Sequence, residues 1–219
     1  MRLDTYRHVA RSIPWQPPLI ALVVSSIVVV VQLGDQVALP LQLTALLLAA
    51  AAGFSLDDPA YEVLAPSPHS LLRRRLQRIL VVVPPTVVAW MAAWAAIVWQ
   101  GSSNPEEFGA LLAMFGGLVG LSLGVAGVAG RRSSGRGGPV VAPSIFVLQV
   151  VSTAFPPRWR FMPLGDIPGG WVEIYIRWTA VGVVGALLFL MSSRDPAARG
   201  VDSRRRRGES KRPLGVGSP

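Results

Sequence analysis

Cysteine is absent from this chain of 219 residues, so disulfides, thiolate catalysis and cysteine-based metal sites are excluded. Lysine occurs once, as Lys211. A P-loop needs a glycine-rich turn ending in Lys-Ser or Lys-Thr to hold a nucleotide's phosphates, and no segment meets that need. Histidine is limited to His8 and His69, with no His-Glu-x-x-His and no spacing that gathers imidazoles on one metal. Charge is scarce: 15% of the residues are charged against 51% hydrophobic, unlike a domain solvated by water. Within the apolar stretches no two carboxylates occur together, which argues against a proton relay. The chain is therefore expected to be no enzyme, to bind no metal or cofactor, and to contain no energy source of its own.

What it does contain is long apolar runs. Six of them, each of about 16–22 residues, approach the ~20 that a helix needs to cross ~30 Å of hydrocarbon. They are read as Pro18–Leu33, Val37–Phe54, Ile79–Trp99, Phe108–Ala129, Val140–Phe155 and Ile174–Met191. The expected fold class is all-α, a polytopic membrane protein of six transmembrane helices occupying residues 1–193. Residues 194–219 are rich in Arg, Gly, Ser and Pro and have nothing to bury, so they read as a disordered basic tail. The basic start (Arg2, Arg7, Arg11) ahead of Leu19–Val31 has the look of a signal peptide, but no small-residue cleavage site follows, so it reads as a retained helix. Pro40 is expected to bend the second helix near its start, and Pro84-Pro85 to kink the third or delay its beginning.

The net charge of +9 sits at helix ends and in the tail, which favours membrane orientation and anionic lipid over nucleic acid. With the N-terminus inside, Arg73, Arg74, Arg75, Arg78, Arg131, Arg132, Arg136 and the tail all fall on one side. The loop 101–107 on the other side carries Glu106 and Glu107 and no base. An inverted chain would carry at least ten arginines to the wrong face. The expectation is a multi-pass protein of a bacterial plasma membrane with both termini cytoplasmic.

Four segments are candidates for function. The loop 55–78 begins acidic (Asp57, Asp58, Glu62) and ends basic. Asp58-Pro59 has the form of an N-cap followed by a first-turn proline, so a short helix is expected there with Tyr61, Val63 and Leu64 on its apolar side. After Ser67-Pro68, Ser70 is expected to cap a second, amphipathic helix. Its leucines (Leu71, Leu72, Leu76, Leu80) would meet lipid, and Arg73, Arg74, Arg75 and Arg78 would meet headgroups. In the fourth run, Gly116, Gly120 and Gly124 recur every four residues, with Ala113, Gly117 and Gly127 close to the same face, a spacing that lets two helices approach closely, within the chain or between copies. In the sixth run, Glu173 and Arg177 are four apart and are expected to pair along one face, as an interfacial ion pair or at an outer exit. Gln42 and Gln149, the larger uncharged polar residues inside the runs, join them as candidates for lining a path. Residues 156–172, with Trp159, Phe161 and Trp171 among repeated Pro and Gly, suit an interfacial loop or a re-entrant segment.

The six-run, N-inside plan resembles the permease subunits of type-2 ATP-binding-cassette exporters. The stretches Leu56-Asp57-Asp58-Pro59-Ala60, Leu64-Ala65-Pro66-Ser67-Pro68 and Leu71-Leu72-Arg73-Arg74-Arg75-Leu76 also resemble loops of small actinobacterial membrane proteins associated with such ATPases. The resemblance implies a cytoplasmic coupling helix between the second and third spans, with Asp57, Asp58, Tyr61, Glu62 and Leu64 touching a separate ATPase. It also implies a homodimer or heterodimer of membrane subunits, and short helices dipping into the membrane between the fifth and sixth spans. The alternative is a scaffold or assembly factor that transports nothing and recruits partners through its basic cytoplasmic segments.

Overall fold

The structure, a computed structural model, describes residues 10–31, 38–57, 71–99, 105–133, 136–154 and 170–194. Six helices account for nearly all of them: α1 Gln16–Val31, α2 Ala38–Phe54, α3 Leu71–Trp99, α4 Pro105–Arg132, α5 Gly138–Thr153 and α6 Gly170–Ser192. The protein is all-α. Three helices, α3, α4 and α6, are long and apolar enough to span a membrane. The other three are apolar but have only 16, 17 and 16 residues, so at ~1.5 Å per residue they fall short of ~30 Å.

Prolines mark where most helices begin. Pro17, Pro18, Pro40, Pro105 and Pro139 all lie in first turns, where a missing N–H loses no bond. Pro40 is thus accommodated at the start of α2. Gly170 opens α6 with φ at 76°, a conformation that a residue with a Cβ rarely adopts. Pro84 and Pro85 behave differently from the expectation of a late start. Helix α3 begins at Leu71 and runs unbroken through both. The separate amphipathic helix expected after Ser70 is therefore the first turns of α3. Leu76 and Leu80 are exposed, as a lipid-facing side requires, but Leu71 is buried in the protein.

Helix α2 is the hub. Its side chains are buried or half-buried all round, and it packs against α1, α3, α4 and α5. A helix apolar on every face belongs in an interior, and α2 has that composition. An aromatic cluster fills the space between α3 and α4. Trp90 is fully buried, stacks on Phe115 at 5.3 Å between ring centroids, and touches Trp94 and Phe108. The outer faces are the reverse of a soluble protein's: Ile20, Val30, Val88, Phe146, Val172 and Ile176 are each exposed by 60% or more. Apolar surface of that extent on α1, α3, α5 and α6 needs lipid or another chain against it.

The most extensive interface joins α4 to α6, and glycine makes it. A Cβ added at Gly117 would lie 2.6 Å from the Trp178 carbonyl oxygen, and one at Gly124 would lie 2.6 Å from that of Gly185. A Cβ at Gly185 would overlap the Gly120 backbone. The two backbones are therefore in contact, close enough for dispersion and Cα–H···O contacts to hold them without side chains between. The expected glycine face is corrected by one position. Gly120 and Gly124 lie on the seam, but Gly116 faces open space and Gly117 takes its place.

This geometry sets unequal tolerances. Gly185→Ala or Gly117→Ala is expected to destabilise by about 1–3 kcal/mol through overpacking. Gly116→Ala should stabilise by about 0.4–1 kcal/mol, since it meets nothing and the helix favours alanine. Denaturant titration of the three variants in one detergent orders them, and equal melting of all three would rule out the seam.

Candidate functional site at the arginine-rich end of the bundle

All six helices present one terminus at the same end. The chain enters α1 there, because Ile13 packs on Val81 and Val82 of α3 and Trp15 Nε1 donates to the Ala10 carbonyl at 2.7 Å. The ends of α2, α4 and α6 and the beginnings of α3 and α5 meet at that level, and side chains tie them together.

Two of those side chains are arginines expected at lipid headgroups. Arg75 and Arg78 are instead buried in the protein, exposed by 6% and 8%. Arg75 Nη1 donates to the Ser192 carbonyl at 2.9 Å, to Ser192 Oγ at 3.0 Å and to Ser193 Oγ at 3.2 Å, while Nη2 donates to the Gly127 carbonyl at 3.2 Å. The last carbonyls of a helix have no partner within it and carry the negative end of its dipole. Arg75 thus caps the end of α6 and ties it to α4 through Gly127, a carbonyl five residues before the end of that helix. Gly127 makes the approach possible, since a Cβ there would overlap Ser192 Oγ and come within 3.3 Å of the guanidinium. Arg131 adds to the same cap, its Nε donating to the Ser192 carbonyl at 2.5 Å and its Nη2 to that of Arg194. Arg73 is exposed and Arg74 half-buried, so the headgroup role remains open to these two alone.

Asp57 is the acidic counterpart. Its Oδ1 accepts from the amides of Gly137 and Gly138, both at 2.7 Å, and so caps the N-terminus of α5 from 80 residues away in sequence. Gly138 has to be glycine here, since a Cβ would stand 2.5 Å from Phe54 and 2.7 Å from Asp57 Oδ2. Arg78 Nη1 donates to the Asp57 backbone carbonyl, joining the beginning of α3 to the end of α2. Burial raises the Asp57 carboxyl above its ordinary 3.8, against the downward pull of the two amides, Arg78 and Arg136. Beside it opens a cavity of about 320 Å³ lined by Ser12, Ile13, Pro14, Asp57 and Arg136.

The remaining candidates are distributed. Asp58, Tyr61, Glu62 and Leu64 lie outside the described residues, as do Trp159, Phe161 and the tail beyond 194. Gln42 is 2% exposed, enclosed among the helices around α2 rather than set on an open path. Gln149 is half-buried. Glu173 and Arg177 form the expected i, i+4 ion pair, partly exposed, on α6 near its N-terminus and so far from the arginine-rich end. Among the described residues no cluster of His, Asp or Glu fits a metal ion.

Sequence reading missed three parts of this site: the cap that Asp57 places on Gly137-Gly138, the burial of Arg75 and Arg78, and the contribution of Arg131. Paired glycines immediately before Pro139 were the one local sign that a backbone terminus there has to admit a close neighbour. The chain matches no protein-family model, and neither a curated protein nor a solved structure is significantly similar to it.

Two outcomes follow from the caps. Arg75→Ala strands the last carbonyl of α6 and breaks its tie to α4, and should destabilise by about 1–3 kcal/mol, with Arg75→Lys recovering part of the loss. For Asp57 the sign is set by the raised carboxyl. The folded chain holds the proton more tightly than the unfolded one, so the ionised group is a penalty, fully present above the folded pKa and gone below about 3.8. Asp57→Asn keeps an oxygen for both amides without the charge. Melting temperatures across pH should show wild type gaining on Asp57→Asn as pH falls; parallel curves would contradict the assigned cause.

Proposed function

We infer that this chain is the membrane-spanning permease subunit of an ATP-driven exporter in a bacterial plasma membrane, energised by a separate ATPase that docks on residues 55–78. In this reading all six helices span, N-terminus and C-terminus inside. Helices α1, α2 and α5 cross a locally thinned bilayer or complete their spans with flanking residues, as short segments do. Support for six crossings comes from the alternation of the helices, which all return to one arginine-rich end.

The observation that carries the reading is how the 55–78 segment is fastened. Its first described residues are held by Asp57 to the beginning of α5, and its last by Arg78 to the Asp57 carbonyl. A load applied to residues 58–70 therefore passes to α2, α3 and α5 at once. That is what a coupling element has to do when the energy source is another protein. The chain has no P-loop, so such a partner is required for active transport. Two copies facing one another would supply the path, because α4 and α6 are in backbone contact and none runs between them.

The density of arginine at this end also supports the second reading, a non-transporting scaffold that recruits partners through its basic cytoplasmic surface. The two separate on one experiment. Purified in mild detergent, the chain should bring down a P-loop ATPase, and Asp58→Ala with Tyr61→Ala should lower that ATPase's turnover severalfold while leaving the membrane subunit folded. An unchanged turnover, or no ATPase partner, favours the scaffold.

A further inference from the structure

The cavity beside α1 holds two opposite charges that do not touch. Asp57 and Arg136 both line it, yet they form no salt bridge with one another. Asp57 Oδ1 is taken by two amides, while Oδ2 receives no hydrogen bond from any described residue. Arg136 is exposed, and its guanidinium makes no hydrogen bond with any described residue. Ile13 and Pro14 give the cavity an apolar wall. Its volume of about 320 Å³ lies within the ~300–1,000 Å³ of small-molecule sites.

Its position is as telling as its lining. The cavity lies at the arginine-rich end, where α1 and α5 both pack on α2 without forming an interface with each other. Helices α1 and α5 begin within two residues of its lining residues Pro14 and Arg136, and both carry exposed apolar side chains: Leu19, Ile20 and Val23 on α1, and Val140, Phe146 and Val147 on α5. We propose that this cavity is a binding site for a phospholipid with a zwitterionic primary-amine headgroup. The phosphodiester would meet Arg136, the ammonium would donate to Asp57 Oδ2, and the acyl chains would lie along the apolar flanks of α1 and α5. An ammonium at Oδ2 would add a charge-assisted hydrogen bond at the one carboxylate oxygen to which no described residue donates. A quaternary choline headgroup has no N–H to donate, and a glycerol headgroup has no cation, so both are discriminated against. The proposal rests on the membrane-spanning part of the reading above and is independent of the ATPase.

The test is lipid retention by the full chain, read by native mass spectrometry from detergent supplemented with one lipid at a time. Phosphatidylethanolamine should be retained about tenfold better than phosphatidylcholine or phosphatidylglycerol of the same acyl chains. Asp57→Asn, which keeps the α5 cap, should abolish the preference over phosphatidylcholine. Arg136→Gln, a change at an exposed residue, should weaken retention of all three. Equal retention of phosphatidylethanolamine and phosphatidylcholine by wild type, tighter binding of phosphatidylglycerol, or an undiminished preference in Asp57→Asn would overturn the proposal. Soluble glycerophosphoethanolamine binding as tightly as the lipid would remove the acyl chains from it and so overturn the lipid as occupant. Recovery of the chain as a monomer without detergent would overturn the membrane premise, a result distinct from a change in headgroup preference.

Discussion

A buried guanidinium holds this bundle shut at one end. Arg75 sits where α3 begins, and its ligands are the carbonyl and hydroxyls of Ser192 and Ser193 at the end of α6 and the Gly127 carbonyl in the last turns of α4. A cation removed from water is very costly unless fixed dipoles replace the lost hydration. Here the dipoles are helix C-termini, which themselves need a cation. Each side of the contact removes the other's penalty. The arrangement also fixes registry: α4 and α6 can bring both last turns to one guanidinium only if their lengths and their seam agree.

That seam is the second constraint, and it explains the composition of α4. Between two helices in hydrocarbon there is no water to expel, so close approach has to be rewarded by dispersion and weak backbone contacts. Side chains on the facing surfaces would hold the backbones apart. Gly117, Gly120, Gly124 and Gly127 on α4 and Gly182 and Gly185 on α6 remove them. The bulk missing there is moved to the α3 side of α4, where Phe115 and Phe108 meet Trp90 and Trp94. One helix thus has a flat face and a rough face, each matched to its neighbour.

Much of this architecture was legible before any coordinates. Apolar run length and the spacing of proline and glycine located all six helices, and the arginine pattern identified the end at which they meet. The Glu173–Arg177 pair could be anticipated because it is local, four residues apart on one helix. The caps could not. Arg75 to Ser192 and Asp57 to Gly138 span 117 and 81 residues, and nothing in a local pattern distinguishes an arginine aimed at lipid from one aimed at a helix terminus. The amphipathic reading of residues 71–80 misplaced Arg75 and Arg78 for that reason. Its periodicity was helical, as expected, but the face read as polar turned out to meet polar protein, not headgroups. Similarly, a glycine repeat gives the spacing of a seam and not its azimuth: Gly117, Gly120, Gly124 and Gly127 lie on it, as read, and Gly116 does not.

The two caps differ in what they tolerate, and the difference bears on movement. Arg75 is enclosed, with four hydrogen bonds to main chain and side chains of two helices; undoing it exposes a cation and several carbonyls in one step. Asp57 is half-buried, keeps one carboxylate oxygen without a bond from the described residues, and borders an open cavity. Its carboxyl is already pushed toward the neutral form. Of the two fastenings, the one on the 55–78 segment is therefore the weaker. A bundle built this way would keep α4 and α6 together as a unit while α2 and α5 shift relative to each other at their shared end. The Asp57 cap has the fewer bonds to lose, and the seam between α4 and α6 the more contacts.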